Sequence, residues 1–299
     1  GVNADTIDGG PGIDTVSYSA SNAGVNVNLS LNTASGGYAQ GDILSKIENV
    51  TGSSYNDTLT ANNYTGSILD GGSGNDTLNG GVGDDTLIGG AGIDVMDGGA
   101  GSDTVSYANY SQVVMINLNN VGQGWGASGD SLYNIENITG SIYNDSLTAK
   151  SSGSIIHGGD GNDTIKGVEG NDTLYGDNGN DTFYAGDGDD IIDGGAGDDA
   201  IYSQGGTNII IGSAGADAIN GFGGTATASY AGSYPGININ LTTNVNTGGY
   251  ADGDTLYGVP NIIGTDYNDS IIGDGFSNKL YGGAGNDLIV GTAGAETLN

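Results

Sequence analysis

The sequence predicts an all-β solenoid of short parallel strands, and three observations support this fold class. A nine-residue unit recurs in twelve blocks, each with glycine at its fourth position and aspartate at its sixth. The eighth position of every block is apolar, as expected if one side chain of each short strand faces a core. Glycine contributes 61 of 299 residues and recurs too often for a helix to persist.

The blocks form two arrays and three isolated copies. The arrays cover residues 71–106 and 158–202, and the single copies lie at 9–17, 212–220 and 282–290. Glycines at positions one, two and four permit positive φ, so six residues can form a tight turn and the next three a strand. Two units then make one coil, with two parallel sheets back to back and the eighth-position side chains stacked between them.

Three longer spacer coils interrupt the repeats, and each opens on a tyrosine: Tyr18, Tyr107 and Tyr230. Each spacer contains a strand with alternating apolar and polar residues, at 25–31 in the first copy. We expect three modules, residues 1–102, 103–226 and 227–299, along one continuous solenoid that is a fragment of a longer chain.

The charge balance bears on both folding and partners. The formal net charge is −32, from 36 acidic residues against four lysines. A bare chain of this kind repels itself, so cations must compensate if it is to fold. The sequence offers no basic patch for a nucleic-acid partner and no apolar run of about 20 residues for a membrane span. It also contains no cysteine.

The position-six aspartates predict metal sites. In the coil, each lies about 4.8 Å from its counterpart two repeats away, and a divalent cation would reverse the repulsion between the two carboxylates. Carboxylates and turn carbonyls, without imidazole or thiolate, favour Ca²⁺ over Mg²⁺. We predict ions between Asp76 and Asp94, Asp85 and Asp103, Asp163 and Asp181, Asp172 and Asp190, and Asp181 and Asp199. With backbone carbonyls of the same turns, the full predicted ligand set is Asp14, Asp57, Asp76, Asp85, Asp94, Asp103, Asp145, Asp163, Asp172, Asp181, Asp190, Asp199, Asp217, Asp269 and Asp287.

The motif GGxGxDxUx resembles that of the repeats-in-toxin (RTX) family, and the spacers resemble the coil that leads into the β-roll of serralysin-type proteases. The resemblance implies a right-handed parallel β-roll that folds on binding Ca²⁺. It further implies type I secretion and a location outside, or on the surface of, a Gram-negative-type bacterium. Three places depart from the pattern and predict weak or empty sites: Pro260 where the other spacers have Glu48 and Glu136, Glu296 in the last block, and residues 203–211, which contain no aspartate.

Three functional hypotheses follow, and none makes this chain an enzyme. The preferred one is a structural Ca²⁺-binding β-roll of a large cell-surface protein, such as a surface layer, filament or adhesin, with homotypic contacts. The alternative is the C-terminal secretion and folding domain of an exoenzyme whose catalytic domain lies elsewhere. Ice binding would need a threonine ladder at position three, which the arrays lack. We expect His157 to face outward without a catalytic role, and the tyrosines either to cap coils or to form a contact surface.

Overall fold

A computed structural model describes residues 3–119 and 129–299 of the chain. These residues form short β-strands and two 3-10 turns, Gly37–Ala39 and Gly249–Ala251, without any α-helix. The chain divides into two compact units, Gly1–Ile142 and Tyr143–Asn299. Within the described ranges, no helix has the length and apolar character needed to cross a membrane. The predicted all-β class is confirmed.

The first unit contains fifteen of the strands found in the described residues. They are β1 (Thr6–Asp8), β2 (Thr15–Ser17), β3 (Asn26–Asn28), β4 (Thr33–Ser35), β5 (Ile43–Ser45), β6 (Asn49–Thr51), β7 (Thr58–Thr60), β8 (Ile68–Asp70), β9 (Thr77–Val82), β10 (Thr86–Ile88), β11 (Val95–Ala100), β12 (Thr104–Ser106), β13 (Met115–Asn117), β14 (Ser131–Tyr133) and β15 (Asn137–Thr139).

The second unit contains the remaining strands. They are β16 (Ser146–Thr148), β17 (Ile155–Asp160), β18 (Thr164–Lys166), β19 (Thr173–Asn178), β20 (Thr182–Tyr184), β21 (Ile191–Asp193), β22 (Ala200–Tyr202), β23 (Thr207–Ile211), β24 (Ala218–Asn220), β25 (Thr225–Ser229), β26 (Asn238–Asn240), β27 (Thr255–Tyr257), β28 (Asn261–Ile263), β29 (Ser270–Ile272), β30 (Lys279–Tyr281), β31 (Leu288–Val290) and β32 (Thr297–Leu298).

Outside the first spacer, consecutive strands lie in different sheets, so that a strand pairs with one a full coil away. In the first unit one sheet has the order β1-β5-β4-β3-β7-β9-β11-β14, and the other contains β2-β6-β8-β10-β12-β15. In the second unit the orders are β16-β18-β20-β22-β24-β27, β17-β19-β21-β23-β25-β28-β30-β32 and β26-β29-β31. Among the strand pairs within the described residues, pairing is parallel except around β4, which runs antiparallel to β3 and β5. An isolated antiparallel bridge also joins Asn238 and Thr247 in the third spacer. This topology is that of a parallel β-roll.

The core of each unit consists of the predicted eighth-position side chains. In the arrays these residues are fully buried: Leu78, Leu87, Met96, Val105, Ile165, Leu174, Phe183, Ile192 and Ile201. The register places them in rows, because Ile165 pairs with Phe183 and Phe183 with Ile201. Each coil therefore buries one apolar side chain per strand, and the period of nine follows from this packing.

The glycines of the turns serve two different purposes. The second and fourth positions have positive φ, as at Gly195 (92°) and Gly197 (134°), which makes the tight turn. The first-position glycines have no positive φ, contrary to our expectation. They are required instead by a close approach of a carboxylate, described below.

The spacers contain the predicted alternating strands, β3, β13 and β26. Val25, Val27 and Leu29 are buried on one face of the first of them, as expected. The second spacer also includes residues 120–128, which lie outside the described ranges. His157 is partly exposed and stacks on Tyr175 with ring centroids 4.4 Å apart, in keeping with its predicted outward position.

Candidate metal centres

The position-six aspartates of the arrays lie in columns at the turns. Each is the residue immediately before a strand, so parallel pairing of the strands stacks the aspartates one coil apart. All five predicted pairs are brought together in this way. In each pair the backbone N–H of the earlier aspartate donates to Oδ1 of the later one, over 2.7–2.9 Å.

The second oxygen of these carboxylates has no partner. Oδ2 is buried without a hydrogen bond in ten of the predicted ligands: Asp14, Asp76, Asp85, Asp94, Asp103, Asp163, Asp172, Asp181, Asp190 and Asp199. A buried carboxylate oxygen without a donor costs several kcal/mol unless the group is neutralised or paired. A row of such atoms is therefore a row of places where the chain leaves negative charge uncompensated.

In the array turns other than that of Asp190, whose first position is Ala185, a first-position glycine lies beside Oδ2. A Cβ added to Gly176 would collide with Oδ2 of Asp181 and with the carbonyl oxygen of Gly194. A Cβ on Gly71 would lie 2.8 Å from the Gly89 carbonyl oxygen and would also collide with Oδ2 of Asp76. Carboxylate and carbonyl oxygens thus converge on one small space at each turn. An all-oxygen donor set of this kind is the one that Ca²⁺ prefers.

Substitution of one of these glycines tests the close approach. We expect Gly176→Ala to raise the Ca²⁺ concentration needed for folding and to cost about 2–4 kcal/mol, because the methyl group displaces both oxygens. Gly232→Ala is the matched control, since nothing lies within 4 Å of a Cβ at that position. Circular dichroism during Ca²⁺ titration measures both variants. Equal effects of the two substitutions would contradict a specific role for the first-position glycine.

Burial also changes the acidity of these groups. It raises the pKa of Asp163, Asp172 and Asp181 to about 7, well above the ordinary value for a carboxyl group. The same cause raises the pKa of Asp217 to about 8 and that of Asp199 to about 6. Without a cation, these groups therefore hold protons close to neutral pH. Protons and metal ions compete for the same oxygens.

Two predicted ligands in the spacers differ from those of the arrays. Both carboxylate oxygens of Asp57 accept hydrogen bonds from Ser53, through its backbone N–H and its hydroxyl. Thr265 donates to Asp269 in the same manner. The chain itself therefore supplies donors at these two places. The carboxylates of Asp57 and Asp269 do not share the uncompensated oxygen of the arrays.

The other predicted ligands belong to the same columns. Asp145 donates its backbone N–H to Oδ1 of Asp163, and Asp287 accepts from Asp269 through its own Oδ1. Asp217 accepts the backbone N–H of Asp199. These three residues therefore belong to the ladders of aspartates.

The predicted ligand set left out the acidic residues by which the spacers continue the columns, although Glu48 and Glu136 were noted where Pro260 replaces them. Glu48 accepts the backbone N–H of Asp14 at 2.9 Å, and Glu136 accepts that of Asp103 at 3.0 Å. Asp42, Asp130 and Asp254 accept in the same way from the preceding column members. Their signal was the recurrence of Ile-Glu-Asn and Gly-Asp in the spacers, which does not follow the nine-residue period.

The places predicted to hold weak or empty sites have the neutral side chains of Asn208 and Asn278, or the longer side chain of Glu296, where the arrays have aspartate. The Asn208 side chain occupies an aspartate position, and its amide nitrogen donates to the carbonyl oxygens of Ser203 and Gly205 at 2.8 and 2.7 Å. Asn278 donates to the carbonyl oxygen of Pro260. Glu296 accepts from Asn278 through Oε2, and its Oε1 is buried without a partner. An amide thus supplies a donor at Asn208 and Asn278.

Stacked coils with oxygen-lined acidic turns define a calcium-binding β-roll. The model of the RTX calcium-binding nonapeptide repeat matches residues 1–17, 70–105, 139–174, 166–201, 202–225 and 263–298, together more than half of the chain. The chain belongs to this RTX family. A comparison with curated proteins gives no match. Membership implies Ca²⁺ binding by a structural domain, and RTX proteins are typically secreted.

Proposed function

We propose that this chain is the structural Ca²⁺-binding β-roll region of a large bacterial cell-surface protein, such as a surface layer, filament or adhesin. It folds outside the cell when Ca²⁺ enters the turns. The observation that supports calcium-dependent folding is the set of ten buried Oδ2 atoms without a hydrogen-bond partner. The proposed ligands are the predicted position-six aspartates, with backbone carbonyls of the same turns, along three modules of one solenoid.

An exposed aliphatic row supports the role in assembly. Ile155, Ile191 and Ile209 are 45%, 39% and 42% exposed on the outward face of β17, β21 and β23. Ile191 pairs directly with Ile209, and Thr173 lies between Ile155 and Ile191. Three exposed apolar side chains in one row along one face suit contact with a second copy of the chain. The proposed homotypic contact uses this row.

The alternative is the C-terminal secretion and folding domain of an exoenzyme that a Gram-negative bacterium exports by type I secretion. The catalytic domain of that enzyme would lie outside this chain. The resemblance of the spacers to the coil of serralysin-type proteases favours it. An exoenzyme domain has no need of copies of itself, whereas a surface layer or filament does. Assembly in Ca²⁺ therefore distinguishes the two functions.

The aliphatic row provides a test. We expect the Ca²⁺-folded chain to form sheets or fibres, seen by light scattering and electron microscopy, and Ile191→Ser/Ile209→Ser to reduce this assembly strongly. The Ca²⁺ concentration at which this double variant folds should stay unchanged, because both side chains lie outside the core. Leu31→Ser is the control, since Leu31 is exposed in the other unit. Folding in Ca²⁺ without any assembly would contradict the surface role and favour the exoenzyme domain.

A further inference from the structure

Three tyrosines occupy a backbone position that glycine occupies in the arrays. Tyr107 directly follows β12 as Gly89 follows β10, and these two strands pair in register. Tyr230 likewise follows β25 as Gly212 follows β23. Tyr18 follows β2 in the first spacer. Each tyrosine is therefore the first residue of a turn. In most array turns this position holds a glycine that closely approaches a carboxylate.

Each of these tyrosines donates a hydrogen bond to an aspartate that continues a column. The hydroxyl groups of Tyr18, Tyr107 and Tyr230 lie 2.9, 3.0 and 2.6 Å from Oδ2 of Asp42, Asp130 and Asp254. Oδ1 of each aspartate accepts the backbone N–H of the preceding column member, as in the arrays. The only change within the column is that Oδ2 gains a donor from the chain.

The tyrosine ring also fills space beside the neighbouring turn. A Cβ added to Gly212 would collide with the ring of Tyr230, whereas one added to Gly194 would meet Oδ2 of Asp199. Tyr107 and Tyr230 are themselves buried. At these turns a phenol occupies the place that is lined by oxygen atoms in the arrays.

We propose that the pairs Tyr18–Asp42, Tyr107–Asp130 and Tyr230–Asp254 are metal-free ends of the calcium ladders. The hydroxyl hydrogen takes the place of the cation at the last carboxylate, so the position of the tyrosine sets how many ions a ladder holds. The inference rests on the proposed calcium binding. It states further that three buried aspartates, in the same columns as the ligands, contribute no calcium site.

Two matched substitutions in one column test this. Asp254→Asn should retain the wild-type number of bound Ca²⁺ ions, since the amide still accepts from Asp217 and the Tyr230 hydroxyl can accept as well as donate. Asp199→Asn should lose at least one ion per chain and raise the Ca²⁺ midpoint of folding about two- to tenfold. Equilibrium dialysis with metal analysis counts the ions, and circular dichroism gives the midpoint.

Loss of an ion by Asp254→Asn, as by Asp199→Asn, would overturn the inference and leave the proposed calcium binding intact. A wild-type chain that binds no Ca²⁺ would overturn both. A second measurement uses the Ca²⁺-saturated chain. Tyr230→Phe should lower its thermal midpoint and Tyr230→Phe/Asp254→Asn should recover part of the loss, with the exposed Tyr257→Phe as control. A neutral effect of Tyr230→Phe would likewise contradict the role of the hydroxyl group.

Discussion

Removal of Ca²⁺ at neutral pH is expected to unfold the β-roll. The ten carboxyl groups with a buried, unpartnered Oδ2 must then either carry uncompensated charge or bind a proton, in a chain of net charge −32. If each site binds at about 10⁻⁴ to 10⁻³ M, millimolar Ca²⁺ supplies on the order of 1–2 kcal/mol per site. The five predicted bridging sites alone would supply about 5–10 kcal/mol, comparable with the whole stability of a domain. The strand signal in far-ultraviolet circular dichroism should disappear in EGTA and return with Ca²⁺.

Magnesium is the control for this experiment. It prefers strict octahedral geometry and retains its water, so it should restore the strand signal only weakly at the same concentration. Small-angle X-ray scattering should show the expanded dimensions of an unfolded chain in EGTA. A compact, ordered chain after thorough chelation would contradict calcium-dependent folding.

The second large effect concerns the stability of the calcium-free chain, which should rise as the pH falls, opposite to the trend of the calcium-loaded protein. Burial raises the pKa of Asp163, Asp172 and Asp181 to about 7 in the folded state, against about 4 for an unfolded chain. Between these values the folded state binds more protons, so its stability decreases as the pH rises. We expect the metal-free protein to gain strand structure as the pH falls from 8 to 5, with its stability rising most steeply below about pH 7.

The calcium-loaded protein should show the opposite trend, because protons displace Ca²⁺ from the same carboxylates. The measurement is circular dichroism of protein freed of metal by a chelating resin, since EGTA itself weakens in acid. Asp181→Asn should reduce the dependence of stability on pH, whereas Asp266→Asn should not, since Asp266 is exposed and lies outside the columns. A metal-free chain that loses structure on acidification would refute this linkage.

The repeat period was sufficient to predict the core and the pairing of the position-six aspartates. Phe183 is buried and Asp163 lies next to Asp181 because both follow from stacking a coil of eighteen residues. The first-position glycine was misread, because sequence alone does not separate a need for positive φ from a need for close approach. Gly176 has an ordinary φ and is required for contact with Asp181.

The spacer contacts could not be predicted, because they join residues at other separations. Tyr230 and Asp254 are 24 residues apart, and Tyr107 and Asp130 are 23 apart, so neither pair has the period of the arrays. Strand β4 was also missed. Its antiparallel pairing with β3 and β5 comes from a local excursion of the spacer, and the sequence at Thr33–Ser35 has no apolar alternation to indicate it.

The pairing of strands a full coil apart determines how such a molecule can change its length. Duplication of one nonapeptide would transfer every later strand of that unit to the opposite sheet. Tyr230 would then lie beside a different column of aspartates from the one it contacts now. Duplication of two nonapeptides adds a complete coil and leaves the contacts of Tyr230 with Asp254 as they are. The hydrogen bond between Asp163 and Asp181 joins residues eighteen apart, which is the length of one coil. The architecture therefore tolerates the tandem gain or loss of eighteen-residue segments.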